Sequence, residues 1–541
     1  MSSTSTSSAL VSKQTLLLVF AGTAAVLAAF VWRFNFVSDD AFILFRYSKN
    51  FAQGLGLVYN PGMEPPVEGY SEFLWAVLLG GVERLGWDIA FWSRFLTILG
   101  SFVLLGCVLN FGHKRLALSG LGLAASGLFF ATLPTVGVWT TGGLSSSLFA
   151  LCIFLCFEAL FSDPDNPNGV KAGLAGVATC LLRADGPFWI VVIIGVWLVS
   201  FLWRRCPATL DDHGRAAVPV RVFWSAFGKS SAILVIAGVI FIAWRMHTYG
   251  DYLPNTARAK VGMSAISLER GLKYVLHYWA ILPATVVALL FGSGLLILRL
   301  ARKQAAAFDA LCAAALIAAA TFCYSILVGG DFMAMGRFFF PAAAFLALLF
   351  GSFLERLQRV SSMAGLGVGA LLIATNVAPA ADSYLAPKSM REALWFRWSS
   401  PAYESEYVFW RGMRDRCSEW SLIGKALALH TSPDESLVLG PIGAVGYYSD
   451  LVILDLYGLT NSEVLKASKP ASVRSTPGHD RLVDIEFFDR FQPTYRSAYL
   501  SRPQTSAANL KRLAKKPDYD IFELNESDGF PPNRSLVLRR W

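Results

Sequence analysis

Charge is what this sequence has least of. Of 541 residues, 16% are Asp, Glu, Lys or Arg, against about 25% in a soluble globular protein. The deficit falls in the first 380 residues, where long apolar runs are separated by short polar loops; runs of 18 or more apolar residues read as bilayer spans. Metal-ligating patterns are also missing. Histidine is scarce, and the eight cysteines show no ligand spacing, so no metal site is expected. Cys152, Cys156, Cys180, Cys312 and Cys323 lie inside predicted helices. Cys417 is alone after residue 380, which excludes a disulfide framework there. No internal repeat is visible, and the one low-complexity tract is the Ser/Thr-rich tail Met1–Lys13. The net charge of +9 does not point to nucleic acid. From 381 onward 21 Lys+Arg stand against 20 Asp+Glu, so the excess sits among the apolar runs, where cytoplasmic loops collect Lys and Arg.

What is present divides the chain into a membrane domain, about 1–380, and a soluble domain, about 381–541. Eleven spans are expected, near 15–33, 90–110, 117–136, 143–161, 169–183, 187–203, 223–245, 279–299, 306–328, 338–354 and 362–380. The short apolar stretch 72–87 reads as a helix lying at the interface. Counting it as a span would invert everything downstream and place the basic clusters outside. With it at the interface and the N-terminus cytoplasmic, Lys114-Arg115, Lys171, Arg204-Arg205, Arg302-Lys303, Arg356 and Arg359 all fall inside. The soluble domain then lies outside, in the periplasm of a Gram-negative cell. Its sequence predicts a helix over about 401–428, strands at Ser436–Leu439 and Leu451–Leu456 flanking a Gly-rich turn (GPIGAVGYYSD), and a last strand at SLVLRR. This is an α/β or α+β pattern.

Once topology is set, the polar residues at membrane boundaries collect on the outer side. They are Asp39, Asp40, Arg46, Glu68, Tyr70, Arg183, Asp185, Asn255, Arg258, Lys260, Asp331 and Arg337. Ionisable groups beside hydrocarbon are costly and mark function, so acids, bases and amides from five distant loops point to a polar cleft at the outer surface. Two adjacent carboxylates in a poorly hydrated site separate their pKa values, which favours one as a general base. Asp39 is the first choice and Asp40 the second. A helix cap explains Ser-Asp-Asp equally well, and the two roles can coexist. Arg183, Arg258, Lys260 and Arg337 are candidate phosphate binders. The Gly- and Pro-shaped run GLGLVYNPGMEPPVEGYSEFLW suits a substrate-shaping loop.

The run SDDAFILFRYSKNFAQGLGLVYNPG…VEGYSEFLW resembles the first outer loop of GT-C-type glycosyltransferases, above all the mycobacterial terminal arabinofuranosyltransferases and the bacterial pilin arabinosyltransferases. Further matches follow in order: WTTGGL at 139–144, RADG at 183–186, YGDYLPNTARAK at 249–260, GGDFMAMGRF at 329–338, GAVGYY…DLYGLTN at 443–461 and Gly-His-Asp at 478–480. Two departures stand out. Ser145 takes the place of a Glu in the Gly-Leu/Met-Glu motif, and Ala184 that of a more usual Pro.

The resemblance implies a GT-C-like fold of about 11 transmembrane helices. It implies a donor of decaprenyl- or undecaprenyl-phosphate arabinofuranose, an acceptor that is a periplasmic glycan or pilin-like protein, catalytic Asp39 and Asp40, and an outer domain that helps to bind acceptor through residues such as His479. Such a reaction needs no metal. The expected place is the bacterial inner membrane. Rival readings are a GT-C enzyme for another lipid-phosphate sugar (mannose or aminoarabinose) and a lipid or sugar transporter without transfer activity.

Overall fold

The computed structural model describes residues 11–206, 219–260, 264–400, 402–470, 481–502 and 504–541. His479 lies outside them, and so does the side chain of Lys260. Among the described residues, eight helices are long and apolar enough to cross a membrane: Lys13–Arg33, Ile89–Lys114, Gly186–Arg204, Val220–Tyr249, Pro283–Ala301, Ala310–Leu327, Arg337–Val360 and Ser362–Ala381. Three shorter apolar helices, Gly120–Thr132, Ser146–Phe161 and Gly169–Leu182, coincide with the other three expected spans. Stretch 72–87 forms the 12-residue helix Phe73–Arg84. At about 1.5 Å per residue it falls well short of a hydrocarbon core about 30 Å thick. This is a multi-pass helical membrane protein.

Burial sorts the helices. Of the most apolar 18 residues of helix Arg337–Val360, 83% are buried, which puts it at the centre of the bundle, whereas for Val220–Tyr249 the share is 11%. From Phe340 the central helix reads Phe-Pro-Ala-Ala-Ala-Phe, and such small residues let helix backbones approach in a membrane, where no hydrophobic drive holds them together. At Gly351 the approach is closest. A Cβ there would lie 1.9 Å from Ser126 Oγ and 2.5 Å from the Gly122 carbonyl of helix Gly120–Thr132. Gly351→Ala is therefore expected to destabilise the bundle by about 1–3 kcal/mol through overpacking, read as a lower melting temperature in detergent; an unchanged melt would disprove the close contact.

The part that follows the last span lies outside the helix bundle, and this outer part is α/β. Strands β1 (Ser436–Leu439), β2 (Val452–Asp455), β3 (Lys469–Pro470), β4 (Arg481–Leu482), β5 (Tyr495–Leu500), β6 (Tyr519–Glu523) and β7 (Ser535–Arg540) form a five-stranded sheet of order β2-β1-β5-β7-β6 and a small antiparallel β3-β4 pair. β1 runs parallel to β2 and β5, while β7 is antiparallel to β5 and β6. The expected helix is Glu406–His430. The Gly-rich segment is not a simple turn. It contains the helix Gly443–Ser449, because β1 and β2 are parallel neighbours and parallel strands need a crossover between them.

That short helix joins the two parts. It packs on Asp39–Ala52, the helix that follows the first span and is buried from Ala41 to Ser48. Both ends of the outer helix are capped by the inner one. The Asp39 carboxylate accepts from the amides of Gly443 (3.2 Å) and Ala444 (2.7 Å) at its N-terminus. Arg46 donates to the Gly446 carbonyl at 2.7 Å, and Lys49 lies 3.5 Å from that of Tyr447. An anion at the start and cations at the end complement the helix dipole and satisfy its orphan amides and carbonyls.

Candidate active site

Three joints bring the first-loop and WTTGGL strings together. Ser38 does not cap its own helix; its hydroxyl donates to the Gly142 carbonyl at 2.9 Å. Trp75 Nε1 donates to the Gly143 carbonyl at 3.0 Å. The Ser145 amide donates to Glu72 Oε2 at 2.8 Å. The WTTGGL segment is thus a floor on which the first-loop helix and the interfacial helix rest. The carboxylate that meets Ser145 therefore comes from Glu72, on another loop.

Above the floor lies a cavity of about 390 Å³. Asp40, Tyr70, Arg183, Asp185, Asp331 and Arg337 line it, as do Glu72, Thr256 and Tyr324. Its charged groups form two similar units. Arg337 grips Asp331 through two bonds (Nε to Oδ2 2.9 Å, Nη2 to Oδ1 3.0 Å), and its Nη1 lies 3.6 Å from Asp40 Oδ2. Arg183 grips Asp185 (2.8 and 3.3 Å), and its Nη1 lies 3.8 Å from Glu72 Oε1. The Phe338 ring stands beside both guanidinium groups, at 5.5 and 5.9 Å. Each arginine is fixed by one aspartate and reaches toward a second carboxylate. Such forks suit a tetrahedral anion as well as a carboxylate. Burial pushes the Glu72 carboxyl above its usual range, against the pull of Arg183 and the Ser145 amide.

Other expected site residues do not reach the cavity. Asp39, the first choice for the base, spends its carboxylate on the Gly443 and Ala444 amides. Burial, aided by the charge of Asp40 and opposed by those two amides, pushes its pKa up to about 7. Arg46 is buried and bonded to the carbonyls of Tyr59, Gly446 and Leu451 and to Asn60 Oδ1. Glu68 is locked by Arg245, at 2.8 and 3.0 Å. Asn255 staples the outer part to the wall, donating to the Gly458 and Leu459 carbonyls at 2.7 and 2.8 Å. Leu459 thereby becomes a cavity residue. Arg258 is exposed, does not line the cavity and is held by Asp251 on its own loop at 2.7 and 2.9 Å. Tyr70 does line the cavity, but its hydroxyl is engaged. Tyr249 donates to the Leu57 carbonyl at 2.7 Å, which leaves Tyr70 as donor in the 3.1 Å contact between the two phenols.

Glu72 and Tyr324 were not anticipated. Glu72 heads an apolar helix, and its signal was a buried-looking acid two residues after Tyr70. Tyr324 sits within the apolar span Ala310–Leu327, where no charge draws attention to it. Among the described residues, no group of three His, Cys, Asp or Glu side chains is placed to hold a metal ion.

A bundle of membrane helices carrying a small outer α/β part, with a charged cavity near their junction, is a known arrangement. The chain superposes on the crystal structure of ArnT from Cupriavidus metallidurans bound to undecaprenyl phosphate, with TM-score 0.54 and 15% identity over 98% of both chains. The apo ArnT structure matches with the same TM-score over 96% of this chain and 97% of that one. The expected GT-C-like polytopic fold is borne out. By sequence, the chain is 25% identical over 268 residues to the terminal β-(1→2)-arabinofuranosyltransferase of Mycobacterium tuberculosis (46% of this chain, 38% of that protein). It is 27% identical over 326 residues to the Corynebacterium glutamicum enzyme of the same name (56% and 46%). The matched region thus spans less than half the length of either relative, and it agrees with the resemblance drawn from the first outer loop. Residues 407–531 match a domain of unknown function (DUF8728).

Proposed function

We propose that this protein is a membrane glycosyltransferase that moves a sugar, arabinofuranose, from a polyprenyl phosphate to a hydroxyl of a periplasmic glycan or pilin-like acceptor. The observation that carries this reading is a carboxylate and two fixed guanidinium groups on the wall of one cavity, with Arg337 Nη1 3.6 Å from Asp40 Oδ2. The donor phosphate sits against Arg183 and Arg337. As the bond between the sugar's anomeric carbon and the phosphate oxygen breaks, negative charge grows on the phosphate and the two guanidiniums stabilise it. Asp40 takes the acceptor hydroxyl proton, the acceptor oxygen bonds the anomeric carbon, and polyprenyl phosphate leaves. No resident metal enters this scheme.

In this reading residues 1–380 are the catalytic membrane domain, with Lys260 among its phosphate binders, and 381–541 are an outer domain that helps to bind acceptor, His479 included. The N-terminus is cytoplasmic and the sheet periplasmic, at the bacterial inner membrane. The named arabinofuranosyltransferase relatives support the sugar. The undecaprenyl phosphate in the ArnT structure supports the lipid.

The test incubates purified protein with synthetic polyprenyl-phosphate arabinofuranose, mannose and aminoarabinose and an oligoarabinoside or pilin acceptor, with products read by mass spectrometry. A pentose added only from the arabinofuranose donor is expected. Transfer of another sugar would replace arabinofuranose in the proposal. Lipid flux in proteoliposomes with no covalent product would make the protein a transporter.

A further inference from the structure

The loop that presents Asp331 and Arg337 has an unusual backbone. Gly329, Gly330, Met335 and Gly336 all have positive φ, and Met335 (φ 57°) is not a glycine. A side-chain-bearing residue in the left-handed region is strained and persists only where its surroundings over-determine it.

Here the surroundings do so with side chains. Arg270 Nε donates to the Gly329 carbonyl at 2.9 Å. Trp139 Nε1 donates to that of Ala334 at 2.9 Å, and Thr135 Oγ1 to that of Met335 at 2.7 Å. The remaining grips come from beyond the last span. Arg397 donates to the carbonyls of Phe332 (2.5 Å) and Met333 (3.0 Å). The Met335 amide donates to Glu406 Oε2 at 2.6 Å. Arg397 and Glu406 are themselves paired, Nη1 to Oε1 at 2.6 Å and Nη2 to Oε2 at 3.1 Å, and both are fully buried. Phe396 and Phe409 rings flank the guanidinium at 4.4 and 4.1 Å. Neither residue lines the cavity.

We propose that the Arg397–Glu406 pair is a positioning device for the transfer reaction: it holds the 329–337 loop in its left-handed turn so that Arg337 faces Asp40. The inference rests on the cavity being the transfer site. It assigns the outer segment a part in the chemistry distinct from acceptor binding. Arg397 suits the task because a planar fork serves Glu406 and two neighbouring carbonyls together. Lysine, a single point charge, can keep the pairing with Glu406 but not all three contacts.

The test is a double-mutant cycle of Arg397→Lys and Arg337→Lys in the full-length protein. It is read both as turnover of the lipid-phosphate sugar and as affinity for undecaprenyl phosphate. Arg397→Lys is expected to lower both about tenfold or more per folded molecule, beyond any loss of melting temperature, and the double variant to be no worse than Arg337→Lys alone, as groups acting through one another are non-additive. Losses that multiply, or an Arg397→Lys protein with wild-type turnover and affinity, would overturn the proposal. Should Arg397→Lys fail to fold, Glu406→Gln, which unsettles the same pair, enters the same cycle. A wild-type protein that binds undecaprenyl phosphate but transfers no sugar would retire the proposed function and leave the positioning claim to the affinity arm.

Discussion

Asp40→Asn is expected to lower transfer by about 10²–10⁴-fold, the range for loss of a general base, while Asp39→Asn loses about tenfold or less. The two carboxylates are neighbours in sequence but not in role. Asp40 lines the cavity with an oxygen 3.6 Å from Arg337 Nη1. Asp39 accepts two amides of the outer helix. Asparagine at 39 keeps one acceptor oxygen, so the cap is weakened by about 1 kcal/mol and the fold persists. A second readout separates the two. With Asp39 pushed up to about 7 in the folded protein, against 3.8 ordinarily, the folded state binds the more tightly held proton. Stability from this group therefore falls as pH rises from about 3.8 to about 7 and levels off above. Asparagine does not titrate, so melts of Asp39→Asn lack that part of the slope. Full transfer by Asp40→Asn with none by Asp39→Asn would reverse the assignment and make Asp39 the base.

That ambiguity shows where sequence reading reaches and where it stops. The spans were legible because an apolar run declares itself without tertiary information, and the parity of spans put five polar loops on one face. Successive residues of a helix, however, point about 100° apart. A dipeptide at a helix start cannot say which carboxylate meets the cavity and which meets a partner. The partner here is residue 443, some four hundred positions away. Arg46, expected among the residues of the outer cleft, has acceptors at Gly446 and Leu451, which come from the far end of the chain and which no local pattern reveals. Glu72 was passed over because the helix it heads is apolar. Arg183, Asp185, Asp331 and Arg337 line one cavity, and each pair lies within one short loop, where sequence proximity and spatial proximity agree.

Arg46→Ala should be strongly destabilising, at about 1–3 kcal/mol for each buried acceptor left without a donor. The guanidinium is buried and makes four bonds, three of them 2.7 Å long to the carbonyls of Tyr59, Gly446 and Leu451. The fourth reaches Asn60 Oδ1 at 3.2 Å. Alanine withdraws this donor from the Gly446 and Leu451 carbonyls, whereas the Tyr59 carbonyl and Asn60 Oδ1 keep a second donor in Asn50 Nδ2 and the Ile453 amide, each at 3.2 Å. It also strips the C-terminal end of helix Gly443–Ser449 of a cation. The expected result is a lower melting temperature and early proteolytic cleavage between β1 and β2, where the outer part docks. Arg46→Lys should fall between, since one ammonium cannot reach acceptors spread around a planar fork. Turnover per folded molecule should stay near wild type, because Arg46 does not line the cavity. A raised KM for the lipid-phosphate donor in Arg46→Lys, with an unchanged melt, would show instead that Arg46 binds substrate and that its contacts across the junction are incidental.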